Sequence, residues 1–92
     1  MYYNENERNE LNSFNNYNEN TLKLNLGKLA IFHMTFPGTS EPEIKKFRGI
    51  LEEVNNDYIV ISSPSDGKWY FLILAYLNFI EFEEAINCKK WV

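Results

Sequence analysis

The sequence lacks any long hydrophobic stretch. Its longest apolar run, WYFLILAYLNFI at residues 69–80, is shorter than the roughly 18 to 20 residues that a helix needs to cross a bilayer, so this run is not a transmembrane helix. The opening residues, MYYNENERNE, have neither a basic start nor an apolar middle. We therefore expect no secretory signal and a cytoplasmic product.

Cysteine and histidine are equally scarce, with one of each. A lone cysteine, Cys88, cannot form an intramolecular disulfide, which suits a reducing compartment. One cysteine and one histidine cannot make a usual structural zinc site without carboxylate help, and the four isolated glycines form no phosphate-binding loop. The sequence therefore predicts no metal and no cofactor.

Catalytic side chains are also few. His33 lies in the middle of a predicted strand, where a ring bonded to near neighbours is the expected role. A nucleophile and base made of Cys88 and His33 would require the C-terminal tail to fold back onto that strand. The carboxylates paired at 52–53 and 83–84 point to opposite faces of a strand, so neither pair is a preset dyad. We predict a protein that is not an enzyme, and the Cys88–His33 pair is the enzyme alternative.

Charge of either sign is limited in the second part of the chain. The formal net charge of -4 divides into -3 over residues 1–20 (one Arg, four Glu) and -1 over the remainder (eight Lys or Arg, nine acids). A nearly neutral domain argues against a nucleic-acid or anionic-membrane face that depends on bulk charge. The only basic cluster followed by an aromatic strand is KKFR at 45–48. It keeps an Sm-like RNA-binding module as the alternative function.

Asparagine, by contrast, is abundant at the start, where it occupies eight of the first twenty positions. Such a polar stretch cannot offset the entropy of ordering, so residues 1–20 are predicted to be a flexible arm. A short helix should follow, capped by Asn20 or Thr21 and ending near Asn25, before Gly27. The alternation of leucines at positions 22, 24 and 26 leaves a strand as the alternative.

Five strands are predicted after this helix. They are rich in aromatic and β-branched residues and are separated by turn formers, among them Asp66 and Gly67, a strong hairpin signal. Gly49, inside the second strand, is expected to mark a bend or bulge. The predicted strands cover residues 28–36, 43–54, 58–62, 69–74 and 76–84.

The order of these elements predicts an all-β fold. A short helix, five strands, a bent second strand and a tight turn between strands three and four are typical of a small five-stranded SH3-like or Sm-like barrel. Closing the sheet removes edges that would otherwise invite aggregation. The predicted organisation is a flexible arm at 1–20, a small β-barrel domain at 21–87 and a C-terminal tail at 88–92.

The fourth predicted strand, WYFLIL, is apolar on both faces. A strand of this kind is either covered twice or left exposed to a partner. We expect one face to fill the barrel and the other to contact a second copy of the chain or another protein. The candidate partner surface predicted from the sequence consists of Tyr70, Leu72, Leu74 and Tyr76.

The segment from about Thr21 to Asn87 resembles the GerQ-type spore coat proteins of endospore-forming bacteria. The stretches that carry the resemblance are LGKLA at 26–30, MTF at 34–36, FRG at 47–49, DYIVISSPSDGKWY at 57–70 and YLNFIEFEEAIN at 76–87. The resemblance implies a non-enzymatic protein of the inner coat, made in the mother-cell cytoplasm during sporulation. Its implied partners are other spore coat proteins and a cortex-degrading cell wall hydrolase, which it places for germination.

Proteins of this family are also described as transglutaminase substrates. That reaction joins a glutamine side chain to a lysine amine, and this chain contains no glutamine, so it could supply only the amine. Cross-linking through the arm is not expected, because no lysine precedes Lys23. The candidate cross-link amines are those of Lys45, Lys46, Lys89 and Lys90.

Overall fold

A computed structural model describes residues 19–88 of the chain, which contain a helix at residues 19–23 and five strands. A 3-10 turn at Leu74–Tyr76 separates the last two strands. The strands are β1 (Leu29–Phe36), β2 (Glu43–Val54), β3 (Tyr58–Ser62), β4 (Trp69–Ile73) and β5 (Leu77–Phe82).

The strands form one antiparallel sheet with the order β4-β3-β2-β1-β5. The first four are connected as successive hairpins, and β5 returns to pair with the free side of β1. The all-β prediction is confirmed, and β2 and β3 have the predicted bounds. Within residues 19–88 the ladders leave β4 and β5 as the two ends of the hydrogen-bonded order, so backbone pairing does not close the sheet.

One face of the sheet carries the core, and we call it the inner face. Phe32, at its centre, is fully buried and lies between Phe47 on β2 and Ile80 on β5. Since strand side chains alternate between faces, β1, β3 and β4 contribute every second residue to this core, whereas the register shift in β2 separates Leu51 from Val54 by three positions. Its buried hydrophobic members are Ala30, Phe32, Met34, Leu51, Val54, Ile59, Ile61 and Leu72.

Gly49 belongs to the inner face, but it does not mark the bulge that the sequence suggested. It pairs regularly with Ala30, and the register shift in β2 lies instead between Leu51 and Glu53. A Cβ atom at position 49 would lie 2.8 Å from the backbone oxygen of Ser62 and 3.1 Å from the Cδ1 atom of Ile61. Glycine is therefore required here because the neighbouring strand approaches closely.

The substitution Gly49→Ala tests this close approach. Replacing a strand glycine ordinarily raises stability, because glycine loses the most conformational entropy on folding. Here the added methyl group must displace the backbone of β3, so we expect the free energy of unfolding to fall by about 1–2 kcal/mol. Urea denaturation followed by circular dichroism measures the change. A variant more stable than the parent would show that β3 moves aside at no cost.

The N-terminal segment is helical and covers one end of the core. Leu22 packs against the core cluster, and the chain leaves the helix through a turn that ends at Gly27, whose φ is +88°. The predicted helix is therefore confirmed over the alternative strand. Asn20 and Thr21 lie inside the helix and are not its cap. The rest of the predicted arm, residues 1–18, lies outside the described residues.

Asn25 joins this N-terminal turn to the last described segment of the chain. Its side chain is almost completely buried, and its Nδ2 donates to the backbone oxygens of Thr21 and Asn87, each at 2.9 Å. Its Oδ1 accepts from the backbone N–H of Asn87 at 2.8 Å. Nearby, the Nζ atom of Lys28 donates to the backbone oxygen of Ala85 at 2.8 Å. We call the three Asn25 bonds the Asn25 clamp, because the two that involve Asn87 hold together positions 62 residues apart.

The hairpin between β3 and β4 turns at Asp66 and Gly67, as predicted. Gly67 has a φ of +73°, and its N–H donates to the backbone oxygen of Ser63 at 2.8 Å. The carboxylate of Asp66 accepts from the backbone N–H of Lys68 at 3.0 Å, and this bond lowers the pKa of Asp66 below its ordinary value. The turn fixes the register in which Trp69 lies opposite Ser62.

Candidate protein-binding face

The face of the sheet opposite the core, the outer face, is apolar along β4. Trp69, Phe71 and Ile73 alternate with the buried side of the strand and are exposed by 64%, 59% and 40% respectively. We call these three residues the aromatic row. Scattered exposed hydrophobic residues are normal on a protein, but a contiguous row on one strand is typical of a binding surface.

The neighbouring strand β3 extends the aromatic row. Its outer residues Val60 and Tyr58 lie opposite Phe71 and Ile73. The ring of Tyr58 stacks on that of Phe71, with 4.1 Å between centroids and 26° between planes. Stacking of this kind limits the rotation of both rings, so the surface is organised before any partner arrives.

Two neighbouring carboxylates on β2 border the row. They lie on the same face, and not on opposite faces as the sequence predicted, because the register shift between Leu51 and Glu53 breaks the alternation. Glu53 accepts a hydrogen bond from the Tyr58 hydroxyl at 2.9 Å, and this bond is the main reason why the pKa of Tyr58 is raised. Glu52 accepts from the Ser62 hydroxyl at 2.5 Å. The apolar row therefore has an acidic border on the side of β2, which favours a partner with basic groups around its own apolar contact.

The predicted partner surface lies mostly on the other face of β4. Leu72 is buried in the core with 5% exposure, and Tyr70 and Leu74 are half-buried against it. Only Tyr76, at 37%, is exposed, and its ring packs against Phe36 at 5.5 Å. Since a buried side chain cannot meet a partner, Leu72 does not belong to an exposed surface, and the exposed side chains of β4 are the alternate set, the aromatic row. A partner contact at Tyr70, Leu74 and Tyr76 stays a prediction.

An open groove of about 660 Å³ continues from the end of the aromatic row. Ile73 belongs to both, and the groove passes between the N-terminal helix and the turn that leads into β5. Leu74, Leu77 and Ile80 supply apolar walls, whereas Glu19 and Asp57 add carboxylates at its border. The groove thus extends the exposed apolar surface, and like the aromatic row it has carboxylates beside its apolar residues.

His33 forms a separate cluster elsewhere on the outer face. Its Nε2 atom lies 2.5 Å from the Oε1 atom of Glu81, and its ring stacks on Phe79 with centroids 4.0 Å apart. The ring therefore has the role that its position in the strand predicted, because it is bonded to Glu81 and stacked on Phe79. Cys88, the other member of the enzyme alternative, is exposed beyond β5.

The basic cluster predicted at 45–48 lies on β2 and is interleaved with carboxylates. Lys45 and Lys46 are exposed, and the Nζ atom of Lys45 lies 3.7 Å from Glu43. Arg48 Nε donates to Glu83 at 3.0 Å. The cluster thus does not form a continuous basic groove. The other two candidate cross-link amines, Lys89 and Lys90, lie outside the described residues.

Residues 19–88 hold no group of three or more His, Cys, Asp or Glu side chains that could ligate a metal ion. Over the same residues, no helix has the length and apolar character needed to cross a membrane.

The aromatic row, its acidic border and the continuous groove define a small all-β domain with an apolar face suited to binding other proteins. The profile of the family described as "Spore coat protein (Spore_GerQ)" matches residues 13–88. The chain is also 46% identical over 70 residues to Spore coat protein GerQ of Bacillus subtilis (strain 168), an alignment that covers 76% of this chain and 39% of that relative.

The chain belongs to the GerQ family of spore coat proteins. The resemblance predicted from the sequence is therefore confirmed, and family membership supports a role and a location in the spore coat. The chain spans less than half the length of the relative that it matches.

Proposed function

We propose that this protein is a non-enzymatic structural and localisation module of the spore coat, which recruits or retains a cortex-lytic cell wall hydrolase for germination. The observation that carries the proposal is the exposed aromatic row. Trp69 and Phe71 are large, exposed and held in place by their strand, and residues of this kind dominate the energy of protein interfaces. A chain that binds the hydrolase through this face would hold it at its place in the coat and would need no catalytic activity of its own.

The proposal also covers where the protein is made and how it is fixed in the coat. The protein is made in the mother-cell cytoplasm during sporulation and is then deposited in the coat, where other coat proteins hold it. Lys45 and Lys46 offer exposed amines to a transglutaminase, and Lys89 and Lys90 are the further candidates. A glutamine donor must come from a neighbouring protein, since this chain has none.

We also propose that the sheet curls into an SH3-like or Sm-like barrel. What supports curvature is that the fully buried Phe32, Met34, Leu51 and Ile59 lie on one face of a single sheet, to which residues 19–88 add only a short helix and a 3-10 turn. A flat sheet would leave that face in water. The division into an arm at 1–20, a domain at 21–87 and a tail at 88–92 belongs to the same proposal.

The test replaces the aromatic row in the spore-forming host. The double variant Trp69→Ser, Phe71→Ser should fold, because both side chains are exposed, but it should lower the hydrolase in coat extracts at least tenfold and slow germination as much as gene deletion. Hydrolase is measured by immunoblot and germination by the loss of optical density. Ile44→Ser with Ile86→Ser, exposed by 68% and 44%, is the matched control and should leave both readouts unchanged.

Three outcomes separate the parts of the proposal. Hydrolase retained in normal amount by the double variant would exclude the aromatic row as its docking surface. If gene deletion leaves the amount of hydrolase in the coat unchanged, while the parent strain carries this protein in its coat fraction, hydrolase retention is excluded and the coat role remains. Steady expression in growing cells, with none in the coat, would contradict both.

A further inference from the structure

The two terminal strands of the sheet differ in how well their open edges are protected. Natural proteins protect edges with charged residues, proline or bulges. β5 contains Glu81, and its pairing with β1 shifts register between His33 and Met34. β4 contains only Trp, Tyr, Phe, Leu and Ile, and its pairing with β3 is regular throughout. Within the described residues, β4 is therefore the unprotected edge.

The backbone of β4 points a regular set of hydrogen-bonding groups away from the sheet. At one end of the strand the Ser63 N–H donates to the Lys68 carbonyl at 2.7 Å, and at the other the Leu74 N–H donates to the Asp57 carbonyl at 2.9 Å. Since hydrogen-bonded pairs alternate along an antiparallel ladder, the even-numbered residues of β4 face β3. The N–H and C=O groups of the aromatic row therefore face the open edge.

We propose that a second copy of this chain pairs with that edge, β4 against β4 in antiparallel orientation, with Phe71 opposite Phe71 of the second copy. This register joins three hydrogen-bonded residue pairs and forms six backbone hydrogen bonds. It also places Trp69 of each copy beside Ile73 of the other, and Tyr70 beside Leu72. All of these cross-strand pairs are apolar, and such pairs stabilise a sheet.

Charge complementarity at the two ends of β4 supports the same register. Lys68 precedes the strand, and Asp57 lies beside its far end; both are exposed, and no ion pair to either is present among residues 19–88. In the antiparallel dimer Lys68 lies opposite Leu74 of the second copy, one strand away from Asp57 of that copy. Two strand spacings are about 10 Å, which the two side chains can span. Because the dimer is two-fold symmetric, the Lys68–Asp57 contact occurs twice.

Pairing β4 with β5 of a second copy fits less well. That arrangement would place Glu81 and Asn78 beside an entirely apolar strand, and its head-to-tail contacts would not close in a dimer. The β4 dimer is closed, and it joins two aromatic rows into one outer face. The inference does not depend on the hydrolase proposal, because it concerns the edge of β4 and a second copy rather than a different partner.

Analytical ultracentrifugation of the full chain tests the pairing, with a reducing agent because Cys88 is exposed. Edge pairing alone buries a small area, so the concentration series should reach about 1 mM. The parent chain should dimerise. Phe71→Pro should be monomeric, because proline removes an N–H that faces the open edge and leaves the β3 ladder intact. Phe71→Thr removes the same ring but keeps the N–H, so it should dimerise more weakly than the parent chain and far more strongly than Phe71→Pro.

A charge-reversal series provides the second measurement, which does not require proline to be tolerated. Lys68→Glu and Asp57→Lys should each weaken dimerisation about tenfold, and the double variant should restore it. A parent chain that stays monomeric throughout would overturn the inference, as would a Phe71→Pro variant that dimerises like the parent. Equal loss of dimerisation in Phe71→Pro and Phe71→Thr would indicate packing between sheet faces and would also overturn the inference. So would a double charge variant that dimerises no better than the two single variants.

Discussion

Phe32→Ala is expected to lower the free energy of unfolding by about 3–5 kcal/mol. Phe32 is fully buried at the centre of the inner face, so the substitution removes contacts with Phe47 and Ile80 and leaves a cavity between three strands. A domain of this size has a total stability of roughly 4–10 kcal/mol. The variant should therefore be at least partly unfolded at 37 °C, a shift that thermal and urea denaturation would both detect.

Phe71→Ala is the matched control for this prediction. It deletes the same ring from the same sheet, but Phe71 is 59% exposed on the outer face. Since most of the ring is already in contact with water, its removal gives up little buried apolar surface. The free energy of unfolding should therefore fall by less than about 1 kcal/mol. Equal losses in the two variants would contradict the assignment of inner and outer faces and, with it, the location of the aromatic row.

Asn25→Ala should produce the second large effect, a loss of about 2–3 kcal/mol. The substitution removes all three bonds of the Asn25 clamp and leaves both backbone groups of Asn87 without their Asn25 partner, whereas the Thr21 carbonyl keeps the bond from the Leu24 N–H. Denaturation in urea measures the stability. Hydrogen exchange should additionally show faster opening of residues 83–88 than in the parent chain.

Asn56→Ala is the comparison for the clamp, because Asn56 is an exposed asparagine in the turn before β3. Its removal should change stability by no more than about 0.5 kcal/mol. If Asn25→Ala is as mild as Asn56→Ala, water replaces the clamp without cost. The last described segment would then be held by the remaining bonds, among them those from the Lys28 Nζ to the Ala85 carbonyl and from the Asn87 Nδ2 to the Leu24 carbonyl.

The strands of this protein could be predicted closely because turn formers separate them. Asn55 accepts hydrogen bonds from the N–H groups of Asp57 and Tyr58 at 2.8 and 3.0 Å, so the turn before β3 is encoded in a single local side chain. Asp66 and Gly67 encode the next turn in the same way. Local hydrogen bonds of this kind depend on neighbours in sequence, and pattern analysis therefore finds them.

The orientation of β4 was harder to predict, because both of its faces are apolar and hydrophobic periodicity cannot choose between them. A usable signal lay in β3. Its residues Ile59 and Ile61 form a purely aliphatic set, whereas Tyr58 and Ser62 bring hydroxyls to the other face. With the hairpin register that places Ser62 opposite Trp69, that contrast assigns the aromatic row to the outer face.

The Asn25 clamp and the role of Gly49 could not have been predicted from local sequence. Asparagine near a helix end indicates a turn, and nothing in the surrounding residues identifies a partner at Asn87. Gly49 likewise suggested a bulge, whereas its real constraint is the backbone of a neighbouring strand. Both depend on residues that folding alone brings together.

The Asn25 clamp also determines how a mechanical load would pass through the domain. Because it ties the N-terminal turn to Asn87, tension applied to the two flanking segments acts first on the two hydrogen bonds between Asn25 and Asn87 rather than on the β-ladders. The bonds of the clamp would extend and break before the core opens. In a layer of linked proteins, such a joint can lengthen under strain while the sheet, and the face that it presents, keeps its shape.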